Sequence, residues 1–155
     1  MKTKDLALEA LIAAVYIAIT VLLKPISYSF MQVRISEVML ILVLFNRKHA
    51  YGLIIGCLLA NFVSDAGILD VIFGTLATAI TCLLMSITKD DHLALVWPAL
   101  VNGIIVGAML GYVLNVPYLP AMGWVFLGEF IATFVPGIFL IKPLKKNTKM
   151  QEIFG

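Results

Sequence analysis

The sequence is poor in charge and in cysteine, and it lacks the common catalytic and nucleotide-binding motifs. Charged residues make up only 13% of the 155 residues, whereas 62% are hydrophobic. A soluble domain of this length could not bury so much apolar surface. The net charge of +2 is too small to indicate binding to nucleic acid. We therefore expect an integral membrane protein without a nucleic-acid partner.

The missing motifs exclude several kinds of chemistry. Cys57 and Cys82 both lie within apolar runs, which argues against a disulfide framework. His49 and His92 stand in polar turns and have no neighbour at metal-ligand spacing. No G-x-x-x-x-G-K-[ST], G-x-S-x-G or H-E-x-x-H motif occurs. The sequence therefore predicts neither ATP hydrolysis nor another catalytic site, and no metal or cofactor.

Six apolar segments predict an all-α protein in which residues 1–155 form one bundle of six transmembrane helices. The predicted spans are approximately 6–23, 34–46, 50–64, 68–88, 93–114 and 121–141. The second and third spans are short, because about 20 residues are needed to cross ~30 Å of hydrocarbon. They either extend into their polar flanks or form a re-entrant hairpin, and both alternatives leave the sides of the later helices unchanged.

The distribution of lysine and arginine predicts the orientation. With the N-terminus inside, nine basic residues fall on the cytoplasmic side, namely Lys2, Lys4, Arg47, Lys48, Lys89, Lys142, Lys145, Lys146 and Lys149. Only Lys24 and Arg34 fall outside. Basic residues in short loops favour the cytoplasm, so both termini are predicted to be cytoplasmic.

On this map, six polar residues converge on the outer half of the bundle: Arg34, Glu37, Asn61, Asp70, Asn102 and Glu129. Ionisable groups within a membrane bundle are costly and usually line a ligand or ion site. Simpler explanations exist for some of them, because Arg34 and Glu37 could form a surface ion pair and Asp70 could cap a helix. Glu129 has no local partner in sequence, and it is the best candidate for a ligand contact.

Two stripes of small residues predict close helix contacts. Ala10, Ala14 and Ala18 recur every four residues in the first span, and Gly103, Gly107 and Gly111 do so in the fifth. Small residues at this spacing let another helix approach closely in a membrane. The sequence leaves open whether the alanine stripe packs inside the bundle or against another protein.

Three segments carry a resemblance to a known family. They are Gln32-Val33-Arg34-Ile35-Ser36-Glu37, Tyr51-Gly52-Leu53-Ile54-Ile55-Gly56-Cys57 leading to Ala60-Asn61, and Asp70-Val71-Ile72-Phe73-Gly74-Thr75-Leu76-Ala77-Thr78. Over nearly its whole length, the chain resembles the queuosine-precursor transporter (QueT) family. Its members are substrate-binding S components of energy-coupling factor (ECF) transporters.

The resemblance implies a function and a set of partners. It implies capture from outside of a 7-deazaguanine such as preQ1, preQ0 or queuine, at the plasma membrane of a prokaryote. It also implies docking to a transmembrane coupling protein driven by two ATPase subunits, with Ala10, Ala14 and Ala18 as the docking face.

The chemistry of a deazaguanine fits the predicted cluster. Carboxylate and amide oxygens can accept hydrogen bonds from the ring, and Arg34 can donate to its carbonyl. Tyr28, Phe30, Phe62 and Phe73 are candidates for stacking on it, of which we favour Phe30 and Phe73. The loop 24–33 is placed to act as a lid.

Two other classes remain. A stand-alone proton-coupled carrier for a small cationic or nucleobase-like solute could use Glu129 and Asp70 as titrating groups. An integral-membrane enzyme is the third class, and it lacks any catalytic constellation.

The orientation yields a testable prediction. In a cysteine-free background, single cysteines at Lys48, Asp91 and Lys146 should be protected from an impermeant thiol reagent in intact cells. Cysteines at Ala66 and Tyr118 should react, because they follow the third span and precede the sixth. Labelling from outside at position 48 would contradict the side assigned to the second and third spans.

Overall fold

The computed structural model describes residues 3–155, and these residues form helices and turns without a strand. The α-helices are, in chain order, α1 (Thr3–Leu22), α2 (Lys24–Ser27), α3 (His49–Asn61), α4 (Ile68–Ile87), α5 (Asp91–Ala94), α6 (Trp97–Val113), α7 (Tyr118–Glu129), α8 (Val135–Lys146) and α9 (Thr148–Phe154). A 3-10 helix covers Ile35–Leu44, and a π-helical turn, Phe130–Phe134, joins α7 to α8.

Four stretches are long and apolar enough to cross a membrane: Thr3–Leu22, Ile68–Ile87, Asp91–Val113 and Tyr118–Lys146. The 3-10 helix and α3 are apolar but shorter. The predicted class, an all-α membrane protein, is therefore confirmed. Six complete spans in one domain, with both termini cytoplasmic, stay a prediction. Lys2, one of the basic residues behind that orientation, lies outside the described residues.

The 3-10 helix lets a short run of residues reach deep into the bundle. Its ten residues rise about 2.0 Å each and therefore extend over ~20 Å, as far as the thirteen residues of α3 at ~1.5 Å each. Because a 3-10 helix has three residues per turn, Glu37, Leu40 and Val43 lie on one side, and all three are buried.

The glycine stripe of α6 packs against α7, as its spacing predicted. A Cβ on Gly107 would lie 2.5 Å from the Cα of Met122, and one on Gly103 would lie 3.0 Å from the Cβ of Phe126. Atoms cannot approach so closely, so the separation of the two helices depends on these glycines. Glu129, at the end of α7, is held in place by this contact.

The alanine stripe of α1 faces away from the rest of the chain. α1 packs on α3 and on the 3-10 helix, and its buried residues are Glu9, Ile12, Ala13, Tyr16 and Thr20. Ala10, Ala14 and Ala18 are exposed. The stripe is therefore not an internal packing face among the described residues.

The last long helical stretch is continuous but not uniform. It begins at Tyr118, three residues before the predicted start, and it widens into the π-helical turn directly after Glu129. Pro136 lacks the N–H that would bond the carbonyl of Ala132 in a regular α-helix, which explains a local change of hydrogen-bond spacing.

The carboxylate of Glu9 is buried at the end of the bundle opposite Arg34. Glu9 of α1 contacts His49 through Oε1 and Nδ1, 2.8 Å apart, and its Oε2 accepts from the N–H of Gly52 at 3.0 Å. Nε2 of His49 lies 2.8 Å from the carbonyl of Phe154. These contacts join α1, α3 and α9, and they explain how Glu9 can be buried.

The close contact of α6 and α7 gives a second prediction. Gly107→Ala should lower the stability by about 1–3 kcal/mol, because the added methyl group meets the backbone of Met122. Thermal unfolding of the purified protein in detergent measures the change as a lower midpoint.

Gly123→Ala is the matched control on the facing helix. A Cβ there meets nothing within 4 Å, so this substitution should leave the midpoint unchanged or raise it, since alanine favours a helix over glycine. Equal midpoints for the two variants would contradict the proposed role of Gly107.

Candidate functional site

The candidate site is built around a buried ion pair between Arg34 and Asp70. Arg34 lies at the start of the 3-10 helix and Asp70 in the first turn of α4. Nη2 of Arg34 is 2.9 Å from Oδ2 of Asp70, with side-chain exposures of 3% and 0%. Nε of Arg34 donates to Oε1 of Gln32 at 3.0 Å, and Nη1 lies 3.8 Å from Sγ of Cys57. This pair joins the chain before the 3-10 helix to α4.

Asn61 attaches the end of α3 to the same pair. Its Nδ2 donates to the carbonyl of Asp70 at 3.0 Å and lies 3.4 Å from Sγ of Cys57. Gly74 makes room for it, because a Cβ there would lie 2.7 Å from Nδ2 of Asn61. Thr78, one turn further along α4, donates to Cys57 at 3.1 Å.

Glu37 lies one turn into the 3-10 helix, and a tyrosine of α1 binds it. The hydroxyl of Tyr16 donates to Oε1 of Glu37, and both side chains are buried. Thr20, one turn along α1, lies 2.6 Å from the hydroxyl of Ser36. The second carboxylate oxygen of Glu37 has no hydrogen-bond partner of normal geometry, although the hydroxyl of Thr78 lies near enough to interact with the carboxylate.

Glu129 approaches the cluster from α7. Its side chain is buried, and it lies within electrostatic reach of Glu37 and Arg34. Its backbone carbonyl accepts from the hydroxyl of Thr133 at 2.7 Å, whereas its Oε2 has no partner. Hydrogen bonds therefore join Arg34, Asn61 and Asp70, and Glu37 and Glu129 lie within electrostatic reach of Arg34, whereas their role in binding a substrate stays a prediction.

Four buried oxygens of these residues accept no hydrogen bond from the described residues: Oε2 of Glu37, Oδ1 of Asn61, Oδ1 of Asp70 and Oε2 of Glu129. We call these four atoms the acceptor cluster. Buried polar atoms are normally paired, and each unpaired one costs about 1–3 kcal/mol. The cluster is therefore suited to a ligand that supplies several N–H donors.

The loop 24–33 covers this end of the bundle. The hydroxyl of Tyr28 donates to the carbonyl of Ala60, its ring lies 5.1 Å from the guanidinium of Arg34, and Lys24 pairs with Asp65 at 3.1 Å. Burial raises the pKa of Tyr28 to about 12, which keeps this donor protonated. On the other side, the carbonyl of Met31 lies where a Cβ of Gly128 would be.

A cavity of about 330 Å³ lies beside this loop. Gln32, the partner of Arg34, is among its lining residues, and its backbone has a φ of +51°, a left-handed conformation that is uncommon outside glycine. Phe30 also lines the cavity and is 37% exposed. Phe30 is therefore a partly exposed ring of this cavity, and its stacking on a ligand stays a prediction.

Two of the predicted site residues lie apart from the cluster. Phe73 is 38% exposed and lines an apolar groove of about 500 Å³ between α4 and α6. Asn102 is buried in α6, and its Nδ2 donates to the carbonyl of Pro98 at 3.0 Å. The structure gives neither residue a contact with Arg34 or Asp70, so their role in binding stays a prediction.

Sequence reasoning missed four polar side chains of the site: Tyr16, Thr20, Cys57 and Thr78. Tyr16 and Thr20 are four residues apart in α1, on the side opposite the alanine stripe. That spacing was the available signal for a second, polar face. Among the described residues, no group of three His, Cys, Asp or Glu side chains is placed to hold a metal ion.

Comparison with known proteins identifies the family of the chain. The family model described as QueT transporter matches residues 6–146. The chain is 31% identical over 170 aligned positions to a protein of Lactococcus lactis subsp. cremoris (strain MG1363) named "Queuosine precursor transporter QueT". The alignment covers 97% of this chain and 98% of that protein. No solved structure matches. The chain therefore belongs to the QueT transporter family.

Proposed function

We propose that this chain captures a queuosine precursor, a 7-deazaguanine such as preQ1, preQ0 or queuine, at the outer face of the prokaryotic cell membrane. We further propose that it is the S component of an ECF transporter, whose ATPase subunits drive the delivery of the precursor. The relative from Lactococcus lactis is named for transport of a queuosine precursor. The observation on which the proposal chiefly rests is the acceptor cluster beside Arg34.

The chemistry of the ligand matches the cluster. The edges of a 7-deazaguanine carry ring N–H groups and an exocyclic amine, and an aminomethyl substituent is cationic. The four unpaired oxygens of Glu37, Asn61, Asp70 and Glu129 can accept from such groups. The three carboxyl groups outnumber the one guanidinium, so the site is rich in oxygen atoms that can accept from a donor-rich ligand.

Arg34 retains capacity to bind a ring carbonyl. The guanidinium has five N–H donors, of which Asp70, Gln32 and Cys57 each engage one. Two N–H groups are left. Because the buried pair with Asp70 fixes the guanidinium, these groups are oriented before a ligand arrives, which reduces the entropic cost of binding.

The loop 24–33 would act as the lid of this site. It lies between the acceptor cluster and the outside, and its attachments to Ala60 and Asp65 are one hydrogen bond and one exposed ion pair. Exposed ion pairs contribute little to stability. Opening would also have to release Gln32 from Arg34 and the carbonyl of Met31 from Gly128. A cavity lined by Phe30 and Gln32 lies beside the loop.

The role as an S component accounts for the exposed stripe on α1. Small side chains on the outside of a membrane bundle let a partner helix approach its backbone. Ala10, Ala14 and Ala18 are exposed along one side of α1. The chain also has no ATP-binding motif of its own, so ATP-driven uptake would need the coupling protein and the two ATPase subunits.

A stand-alone proton-coupled carrier is the second candidate. It is favoured by the buried carboxyl group of Glu129, because Oε2 has no partner and could bind a proton during transport. The two candidates differ in what drives uptake.

The first prediction from this proposal concerns binding. Glu129→Gln should weaken the affinity of the purified protein for preQ1 by about ten- to a hundredfold, because a charge-assisted hydrogen bond is lost. Calorimetric titration measures the change. Glu152→Gln, at an exposed carboxylate of α9, should leave the affinity unchanged. Equal affinities for wild type and Glu129→Gln would remove Glu129 from the site.

The second prediction concerns the partner. Ala14→Trp should abolish co-purification with the coupling protein and ATP-driven uptake into vesicles, because the indole holds a partner helix away. Binding of preQ1 should remain, since Ala14 is exposed on the side of α1 away from the cluster. Leu83→Trp, at an exposed position of α4, is the control and should change neither.

The same vesicles distinguish the two candidates. Uptake by this chain alone, driven by a pH gradient, would overturn the proposed S component and support the carrier. Loss of binding in Ala14→Trp with intact assembly would show that the stripe supports the bundle rather than a partner.

A further inference from the structure

Tyr16 of α1 connects the candidate site to the helix that carries the exposed alanine stripe. Its side chain is fully buried, and its hydroxyl donates to Oε1 of Glu37. Thr20 accompanies it, because its hydroxyl lies 2.6 Å from that of Ser36 and donates to the carbonyl of Tyr16 at 2.8 Å. Two neighbouring hydrogen-bonded contacts therefore join α1 to the start of the 3-10 helix.

We propose that Tyr16 is a positioning residue, which holds Glu37 in its binding orientation and links ligand binding to the position of α1. The inference rests on the proposed function, because it takes Glu37 as a ligand contact. A carboxylate has two oxygens, and Tyr16 occupies Oε1. Oε2 is then the one without a partner, and it is the atom available to a ligand.

The surroundings of Tyr16 make it a rigid support. α3 packs directly behind it, and a Cβ on Gly56 would lie 3.0 Å from the Cβ of Tyr16. A buried phenol also needs a hydrogen-bond partner of its own. Tyr16 and Glu37 therefore restrict each other's rotamers. Tyr16 makes its hydrogen bond to Glu37 and not to Asp70 or Glu129, so it acts on the site through Glu37.

The same helix presents its opposite face to the membrane. Successive residues of an α-helix are about 100° apart, so Ala14 and Ala18, each two positions from Tyr16, point about 200° away from it. One side of α1 thus carries Tyr16, which contacts Glu37, and the opposite side carries the alanine stripe. A ligand that shifts Glu37 acts on α1 through Tyr16, and a partner bound to α1 acts on Glu37 by the same contact.

The test combines two measurements on the detergent-purified chain. Tyr16→Phe should lower the affinity for preQ1 about five- to tenfold, the effect of one lost hydrogen bond. Tyr51→Phe, at a tyrosine of α3 that is 61% exposed, should have no effect. In a Glu37→Ala background, Tyr16→Phe should change the affinity less than it does alone, since the side chain that it positions is gone.

An infrared measurement tests the contact without a ligand. The difference between the spectra of wild type and Glu37→Gln isolates the carboxyl band of Glu37. Tyr16→Phe should shift this band, whereas Tyr51→Phe and Thr20→Val should not. If Tyr16→Phe fails to fold, wild-type chain labelled with 3-fluorotyrosine replaces it; the fluorinated phenol is a stronger donor, so the band should shift in the opposite direction.

The outcomes separate the two proposals. If the wild type binds none of preQ1, preQ0 and queuine, the proposed function fails, and the infrared band alone decides the role of Tyr16. An unmoved band overturns the positioning role. Equal effects of Tyr16→Phe in the wild-type and Glu37→Ala backgrounds also overturn it, because a merely structural role would act independently of Glu37.

Discussion

The buried pair of Arg34 and Asp70 is the interaction on which the rest of this end of the molecule depends. Removing an ion from water costs several kcal/mol, and the attraction of its partner repays that cost only when the geometry is good and the remaining donors are satisfied. Here Gln32 accepts from Nε of the guanidinium, and Asn61 binds the backbone of Asp70. Two N–H groups of Arg34 and Oδ1 of Asp70 have no partner among the described residues, so the pair is only partly satisfied. The loop 24–33, α3 and α4 are therefore fixed relative to one another by one charged contact.

Much of the fold could be predicted from composition and pattern, and the exceptions have physical causes. The predicted loop extended to Pro120, but α7 begins at Tyr118. A proline in the first turn lacks only an N–H that has no acceptor within the helix, so it does not prevent the helix from starting. The 3-10 geometry of Ile35–Leu44 was not predictable, because a run of apolar residues shows no period that separates it from an α-helix.

The ionisable residues of the site were predictable from the sequence, and its uncharged polar residues were not. Arg34, Glu37, Asp70 and Glu129 stand out because an ionisable residue in an apolar helix needs a reason. Tyrosine and threonine are tolerated in such helices, so Tyr16 and Thr78 gave little signal. Aromatic residues offered more candidates than the sequence could rank: Phe30 lines the cavity beside the loop 24–33, whereas Phe73 lies in an apolar groove. Only the packed structure separates them.

The 3-10 helix has a consequence for how such sequences can change length. Adding one residue to Ile35–Leu44 would rotate everything beyond it by about 120° and lengthen it by about 2 Å. Leu40 and Val43 would then turn away from the side that Glu37 shares with them. Adding three residues restores the facing but displaces the next turn by about 6 Å. A change in length therefore either turns the buried side chains away from their neighbours or displaces the next turn by a large distance. Both effects favour a constant length between Arg34 and the turn at Asn46.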